Sequence, residues 1–382
     1  MYSTSYAPVI SPEDLSVLLD HVPDTLLSTN TAQGQLHRYL TYENTLFKNL
    51  AQGEQTIKAI LNTDDEQSIR LGISPKASQA ELSDRYEMLF AAYRQLKNYN
   101  PILLEPPFSF EHPEHSKAWE PRDTDVTLKG FMELNPALWV VNILCSWVEN
   151  TRKAGTDGTT EQRAALELMY DDIRGVAGTK GEKTQFQKAT KLAQNRSAKR
   201  MASVSELVRS YQRNYQHITA IPVVLAYTQR NAYVSPTVAL DSLNSHLRSL
   251  LALRSKSEHL KNTIGYVWQI LYTSPIGVHA RLMLLFGSAF DTTQLDDVID
   301  EVDSLWRYVT NEHGQVMQEY LEPEKPGATP SLQAFSTHPL QPESWDAILH
   351  RLKYWLLLDH YTHLVPPGNQ TFGRSYLSRR PR

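Results

Sequence analysis

The stretch that most constrains the fold is Gly265 to Phe286, GYVWQILYTSPIGVHARLMLLF. Two apolar runs rich in Val, Ile, Leu and aromatic residues flank Thr273-Ser274-Pro275-Ile276-Gly277, so the stretch reads as a β-hairpin. Side chains alternate across a strand. His279, Arg281, Met283 and Leu285 therefore share one face of the second strand, and Val278, Ala280, Leu282, Leu284 and Phe286 share the other. A His and an Arg are the only polar residues of that strand, and they fall on the same side. On pattern alone the simplest reading is a strand end whose two polar tips reach solvent.

The rest of the C-terminal half alternates between strand and helix. Ser203 to Tyr215 is expected to be a helix, and Ile218 to Tyr227 an apolar strand. Pro222 argues for a strand edge or the first residues of a strand, because it cannot donate to a ladder. Ser235-Pro236 starts a helix through Leu240, Leu243, Leu247 and Leu250. After the hairpin come a helix at Leu295–Val309, a loop at Gly327–Pro342 and a last helix at Ser344–Tyr361. Strand, helix, hairpin, helix predicts an α+β unit: a small sheet with helices packed on one side.

The N-terminal half reads as mainly helical. Ser11-Pro12-Glu13-Asp14 is a helix start. Leu36–Leu61, Ser78–Leu96, a segment opened by Asn135-Pro136, and Glu161–Ile173 all carry apolar residues at helical spacing. Pro101–Arg122 is a proline-rich loop whose His112 and His115 have no nearby cysteine, which is a weak metal signal. The expected division is a helical domain over residues 1–173, a basic linker over 174–203 and a second domain over 204–382.

The 382 residues carry a net charge of −4, so any nucleic-acid footprint must be local. One such patch exists. Lys180, Lys183, Lys188, Lys191, Arg196, Lys199 and Arg200 are opposed only by Glu182. It is either a solvated linker or helix face, or a phosphate-contacting surface. The lone Cys145 excludes an internal disulfide and fits a reducing compartment. No signal peptide is evident, and Leu138–Val148 is too short to span a bilayer. A cytoplasmic protein without a membrane partner is expected.

The hairpin also resembles the core of a known family, the inovirus-type replication proteins, also described by their YagK/YfjJ C-terminal domain. That family is related to the HUH rolling-circle replication initiators of phages and plasmids. Its members share a run like GYIWKLEY, a short turn, G-x-H-x-H and an apolar strand. This chain has Gly265-Tyr266-Val267-Trp268-Gln269-Ile270-Leu271-Tyr272, then Gly277-Val278-His279-Ala280-Arg281. The family ends in a run like Y-L-T-K-x-D-Q-Y followed by R-T-F-G-R. Here Tyr354-Trp355-Leu356-Leu357-Leu358-Asp359-His360-Tyr361 is followed by Gln370-Thr371-Phe372-Gly373-Arg374. The resemblance covers roughly residues 204–382.

It implies a ferredoxin-like, HUH-type antiparallel sheet. It also implies a divalent cation, Mg²⁺ or Mn²⁺, held by two strand histidines and an acid, and a tyrosine nucleophile on a C-terminal helix. The chain departs from this pattern. His279 keeps the first histidine, but Arg281 replaces the second and Leu271 the acid, while Leu357 replaces the family lysine. Tyr354 keeps the nucleophile position. Arginine has no lone pair to give a metal, so His279 is left without partners as a ligand.

The expectation is a divergent DNA-binding relative with impaired nicking and no cofactor. Its DNA, single-stranded or hairpin, would be contacted by Arg281, Lys188, Lys191, Lys199, Arg200 and Arg374. Arg379, Arg380 and Arg382 in the tail would add to this surface. Trp268, Tyr266 and Tyr272 would form either a stacking platform or core. One rival is an active nickase using Tyr354, with ligands recruited from Asp359, His360 or His363. The other is a non-DNA interaction protein acting through its N-terminal half.

Overall fold

In the computed structural model, the structure describes residues 25–30, 36–41, 50, 132–134, 180–228, 236–273, 276–321, 331–332, 335–337, 342–364 and 370–375. The expected helices at Ser11–Val22, Ser78–Leu96, Asn135–Val148 and Glu161–Ile173 lie outside these residues. So do His112, His115, Cys145 and the terminal arginines. The chain forms two compact units. One comprises Met1–Asn44, Ser197–Asp359 and Leu364–Arg382, and the other Thr45–Arg196 and His360–His363.

The first unit is built on an antiparallel sheet with helices, so it is of α+β character. Its core strands are β4 (Thr219–Tyr227), β5 (Thr263–Thr273), β6 (Gly277–Phe286) and β7 (Gly314–Leu321). The N-terminal strands β1 (Thr25–Asn30) and β2 (Leu36–Thr41) extend it at one end, and β11 (Phe372–Arg374) closes the other. The order is β11-β5-β6-β4-β7-β1-β2; β8 (Ser331–Leu332) pairs with β7 and β9 (Phe335–Ser336) with β4. A separate two-stranded sheet pairs β3 (Met132–Leu134) with β10 (Thr362–Leu364).

Four helices are described: α1 (Lys180–Asn214), α2 (Pro236–Leu253), α3 (Thr292–Val309) and α4 (Pro342–Tyr361). The basic stretch is thus helical from Lys180 onward. α3 starts at Asp291, whose carboxylate accepts from the backbone N–H of Gln294 while the Gln294 side chain accepts from the Asp291 N–H. This reciprocal cap satisfies two N–H groups that the first turn would otherwise leave open.

The hairpin forms as the alternation predicts. Leu271 lies opposite His279, and Gln269 opposite Arg281. Gly277 has φ +82°, which a side chain would resist, and so it fixes the turn.

Three expectations are corrected. Pro222 does not mark a sheet edge, because β4 lies between β6 and β7. On its outer side β4 pairs with β9 at Thr219–Ala220 and with β7 from Val223 onward, which leaves Pro222 in the gap between two ladders. No partner there needs its missing N–H. Leu36–Thr41 is a strand, not the start of a helix; its register against β1 overrides the local spacing.

Helices also cover both faces of the sheet, not one. The face of Ala280, Leu282, Leu284 and Phe286 packs under α2 and α3, where Trp306 of α3 donates its indole N–H to the Ala226 carbonyl at 2.8 Å. On the opposite face, Trp355 of α4 lies against Arg281. Burial is continuous along β4 up to its last residue, and along β6 beyond its first. Such a strand reads as an unbroken apolar run, not as strict alternation.

Candidate functional site

Arg281 and His279 do not reach solvent. They are 2 % and 1 % exposed. The Nδ1 atom of His279 lies 2.9 Å from the Gly277 carbonyl oxygen, so with that nitrogen protonated it donates there. The guanidinium carbon of Arg281 lies 6.0 Å from the centre of the Trp355 ring. Gln269 stands beside Arg281 on the same face and is 1 % exposed. Buried Leu271 stands beside His279. Val224, Ala226 and Met317 form the adjoining apolar cluster. Five side chains from two strands and a helix thus share one interior layer: Leu271, Gln269, His279, Arg281 and Trp355.

This donor set does not fit a divalent cation. A hard cation takes several oxygen or imidazole ligands. The three positions to which the resemblance would assign ligands hold one imidazole, one hydrocarbon and one fixed positive charge. Among the described residues no group of three His, Cys, Asp or Glu side chains is placed to hold a metal. Of the proposed substitute ligands, His360 is buried, while the side chains of Asp359 and His363 lie outside the described ones. Tyr354 is 1 % exposed, and the Arg351 guanidinium packs over its ring at 5.4 Å.

The other basic candidates separate into two groups. Lys188, Lys191 and Lys199 are exposed on α1, as are Arg209 and Arg213 further along the same helix. Successive spacings of three, eight, ten and four residues put these on one stripe. Arg200 and Arg374 instead tie α1 to β11. Arg200 donates to the Thr371 hydroxyl at 3.3 Å and lies 5.2 Å from the centre of the Phe372 ring. Arg374 donates to the Ser203 hydroxyl at 2.6 Å and pairs with Glu206 at 3.5 Å.

The aromatic alternation of β5 is likewise taken up by the fold. Trp268 is buried, and a Cβ added to Gly373 would collide with its indole. Tyr266 lies under the Arg254 guanidinium at 4.7 Å. A Cβ at Gly265 would collide with the Tyr211 hydroxyl, which donates to the Ile264 carbonyl and lies 3.1 Å from the Ser375 hydroxyl. The Tyr266 N–H also donates to Ser375. The two quoted motifs therefore meet in space: Phe372, Gly373 and Arg374 pair with Gln269, Trp268 and Val267.

Sequence reading missed Gln269 and Trp355. The signal for Gln269 was present, since it is the one polar residue inside the run YVWQIL, and the turn places it opposite Arg281. Among the described residues no helix is long and apolar enough to cross a membrane. No protein-family model, curated protein or solved structure matches this chain.

Proposed function

We propose that the chain is a DNA-binding protein of the phage- or plasmid-type rolling-circle initiator class, working in the cytoplasm, with its nicking chemistry impaired. The observation that carries the reading is the exposed cationic stripe of α1: Lys188, Lys191 and Lys199, continued by Arg209 and Arg213. Lysines spaced along one helix displace counterions from a phosphate backbone whatever its sequence. Net charge does not oppose this, because steering and contact depend on local potential.

The fold supports the initiator class. Strand, helix, hairpin, helix, strand, with the order β5-β6-β4-β7, is the connectivity of a ferredoxin-like sheet. The positions that the HUH resemblance assigns to metal ligands converge on one face, and they bring a guanidinium in place of an imidazole. The attacking hydroxyl would have to come from Tyr354, which is buried. A nucleophile shut inside the protein does not meet a scissile phosphate. Nicking without a cation ligand set and without an accessible tyrosine is therefore impaired, and the function left to the scaffold is binding.

The test is the salt dependence of binding to a single-stranded or hairpin oligonucleotide. Replacing Lys188, Lys191 and Lys199 together by Ala should weaken every sequence alike and reduce the slope of log K against log salt by about two units. Arg200 stays in place in this variant, since it anchors β11. Unchanged affinity and slope would remove DNA as the partner of this helix.

A further inference from the structure

Two polar side chains in the layer under α4 have no partner that explains their burial. Gln269 is buried, and neither its Nε2 nor its Oε1 makes a hydrogen bond among the described residues. The indole Nε1 of Trp355 is buried and likewise makes none. Folded proteins leave few such groups, because a buried group without a partner loses its hydration and gains nothing in return.

These groups belong to one place. Gln269 and Arg281 are register partners, so their side chains leave the sheet side by side. The Trp355 ring packs on the Arg281 guanidinium. Three donors of different kinds therefore border one layer: the Arg281 guanidinium, the Gln269 amide and the Trp355 indole. Guanidinium and indole can only donate, whereas Gln269 also offers an acceptor, Oε1.

The matching guest is an oxyanion that keeps one hydroxyl. Its charged oxygens accept from Arg281, Gln269 Nε2 and Trp355 Nε1, and its hydroxyl donates to Gln269 Oε1. A phosphate with a protonated oxygen has this pattern. Fully ionised sulfate and the backbone phosphodiester of DNA do not. We propose that the layer between β5, β6 and α4 is a binding site for a protonated phosphate group, either free phosphate or the terminal phosphate of a nucleic-acid strand. The inference rests on the reading of Arg281 as a phosphate ligand and is independent of the DNA surface on α1. Because the layer is almost wholly buried, the anion enters only when α4 lifts, and binding is slow.

The experiment compares thermal unfolding of the full chain in phosphate, sulfate and chloride at equal ionic strength, near pH ~6, where a terminal phosphate keeps a proton on about half its molecules. The unfolding midpoint should be higher in phosphate than in sulfate. Gln269→Met should abolish that excess, while leaving the midpoint in chloride unchanged or higher, since an apolar chain of similar length replaces an unpartnered amide. Trp355→Phe should reduce the excess.

A second arm uses the Lys188, Lys191 and Lys199 triple variant with 5′-phosphorylated and unphosphorylated copies of one oligonucleotide. Preference for the phosphorylated copy identifies a strand end as the source; equal binding with the phosphate excess intact identifies the free anion. Equal midpoints in phosphate and sulfate, or an excess that survives in Gln269→Met, would overturn the site and leave the groups to water. A triple variant that keeps its DNA affinity but shows the phosphate excess would refute the α1 reading alone.

Discussion

The two faces of β6 differ in what holds them. Ala280, Leu282, Leu284 and Phe286 enter a layer made by α2 and α3, where the polar groups are matched. The Trp306 indole has its carbonyl at 2.8 Å, and the Tyr227 hydroxyl lies 2.9 Å from His246 Nδ1. One residue along the chain, His279 and Arg281 enter a layer in which the Gln269 amide and the Trp355 indole N–H stay unmatched among the described residues. The β6 side chains are buried alike on both faces, so access to solvent does not explain the unmatched atoms of the second layer. A core under selection for stability alone loses such groups, because apolar residues of similar shape serve at least as well. Where local rules break inside an otherwise consistent fold, function is the first explanation to test.

The comparison breaks most easily on the matched side. Trp306 is fully buried, stacks near Tyr227 and His246 at 5.9 and 6.2 Å, and blocks any side chain at Gly314. Trp306→Ala removes a large apolar volume and orphans the Ala226 carbonyl. It should cost about 3–5 kcal/mol, read as a fall in the denaturant midpoint at unchanged slope. A loss below ~1 kcal/mol would mean that this face is not the stabilising one.

The second prediction acts on the unmatched side and has a smaller effect on stability. Leu271→Glu with Arg281→His rebuilds the ligand set that the resemblance implies. Without metal the double variant should lose about 2 kcal/mol, because Leu271 is buried and the new carboxylate has no hydration there. Saturating Mn²⁺ at a hundred times its dissociation constant should return roughly 2.7 kcal/mol. If α4 opens far enough, a single-stranded substrate should form a covalent adduct with this variant, and Tyr354→Phe should abolish it. Robust Mn²⁺-dependent adduct formation by the unmodified chain, lost on Tyr354→Phe, would instead make this protein a working nickase.

What was legible in the sequence was local. The hairpin could be read because its turn residues and apolar runs agree, and α2, α3 and α4 because their apolar spacing is long and regular. Strand β7 was missed because GQVMQEYL alternates weakly, and its pairing with β4 and β1 is set by distant chain. Leu36, Tyr39 and Leu40 satisfy a helical spacing, yet the pairing of β2 with β1 decides their state. Two-sided burial was written in the continuous run of β4, but the two polar residues of β6 suggested an exposed face. Composition could not separate Lys199, which is exposed, from Arg200, one residue on, which anchors Thr371. The motif residues Gly265, Trp268 and Gly373 turn out to share one structural junction. A resemblance carried by such residues speaks for the scaffold more strongly than for its chemistry.

The smallest expected effect sharpens the comparison through pH. His246 sits on the matched side, half-buried beside Tyr227 and Trp306, and burial lowers its pKa below the ordinary imidazole value of 6.5. A depressed pKa means that the unfolded chain binds the proton first. Stability from this residue is therefore complete above about pH 6.5 and is lost as pH falls from there through the folded pKa. Below the folded value the loss stops, because both states are then protonated. His246→Asn keeps a polar atom near the position of Nδ1 and removes the titration. Between pH ~6.5 and ~5 the variant should lose less stability than the parent chain, measured as the difference between their denaturant midpoints at each pH. His279, on the opposite face, provides the control: His279→Asn should leave the His246 component of the pH profile in place. If the profile is instead the same in the parent and His246→Asn, the Tyr227–His246–Trp306 cluster does not hold its imidazole neutral, and the matched face is less tightly closed than its hydrogen bonds imply.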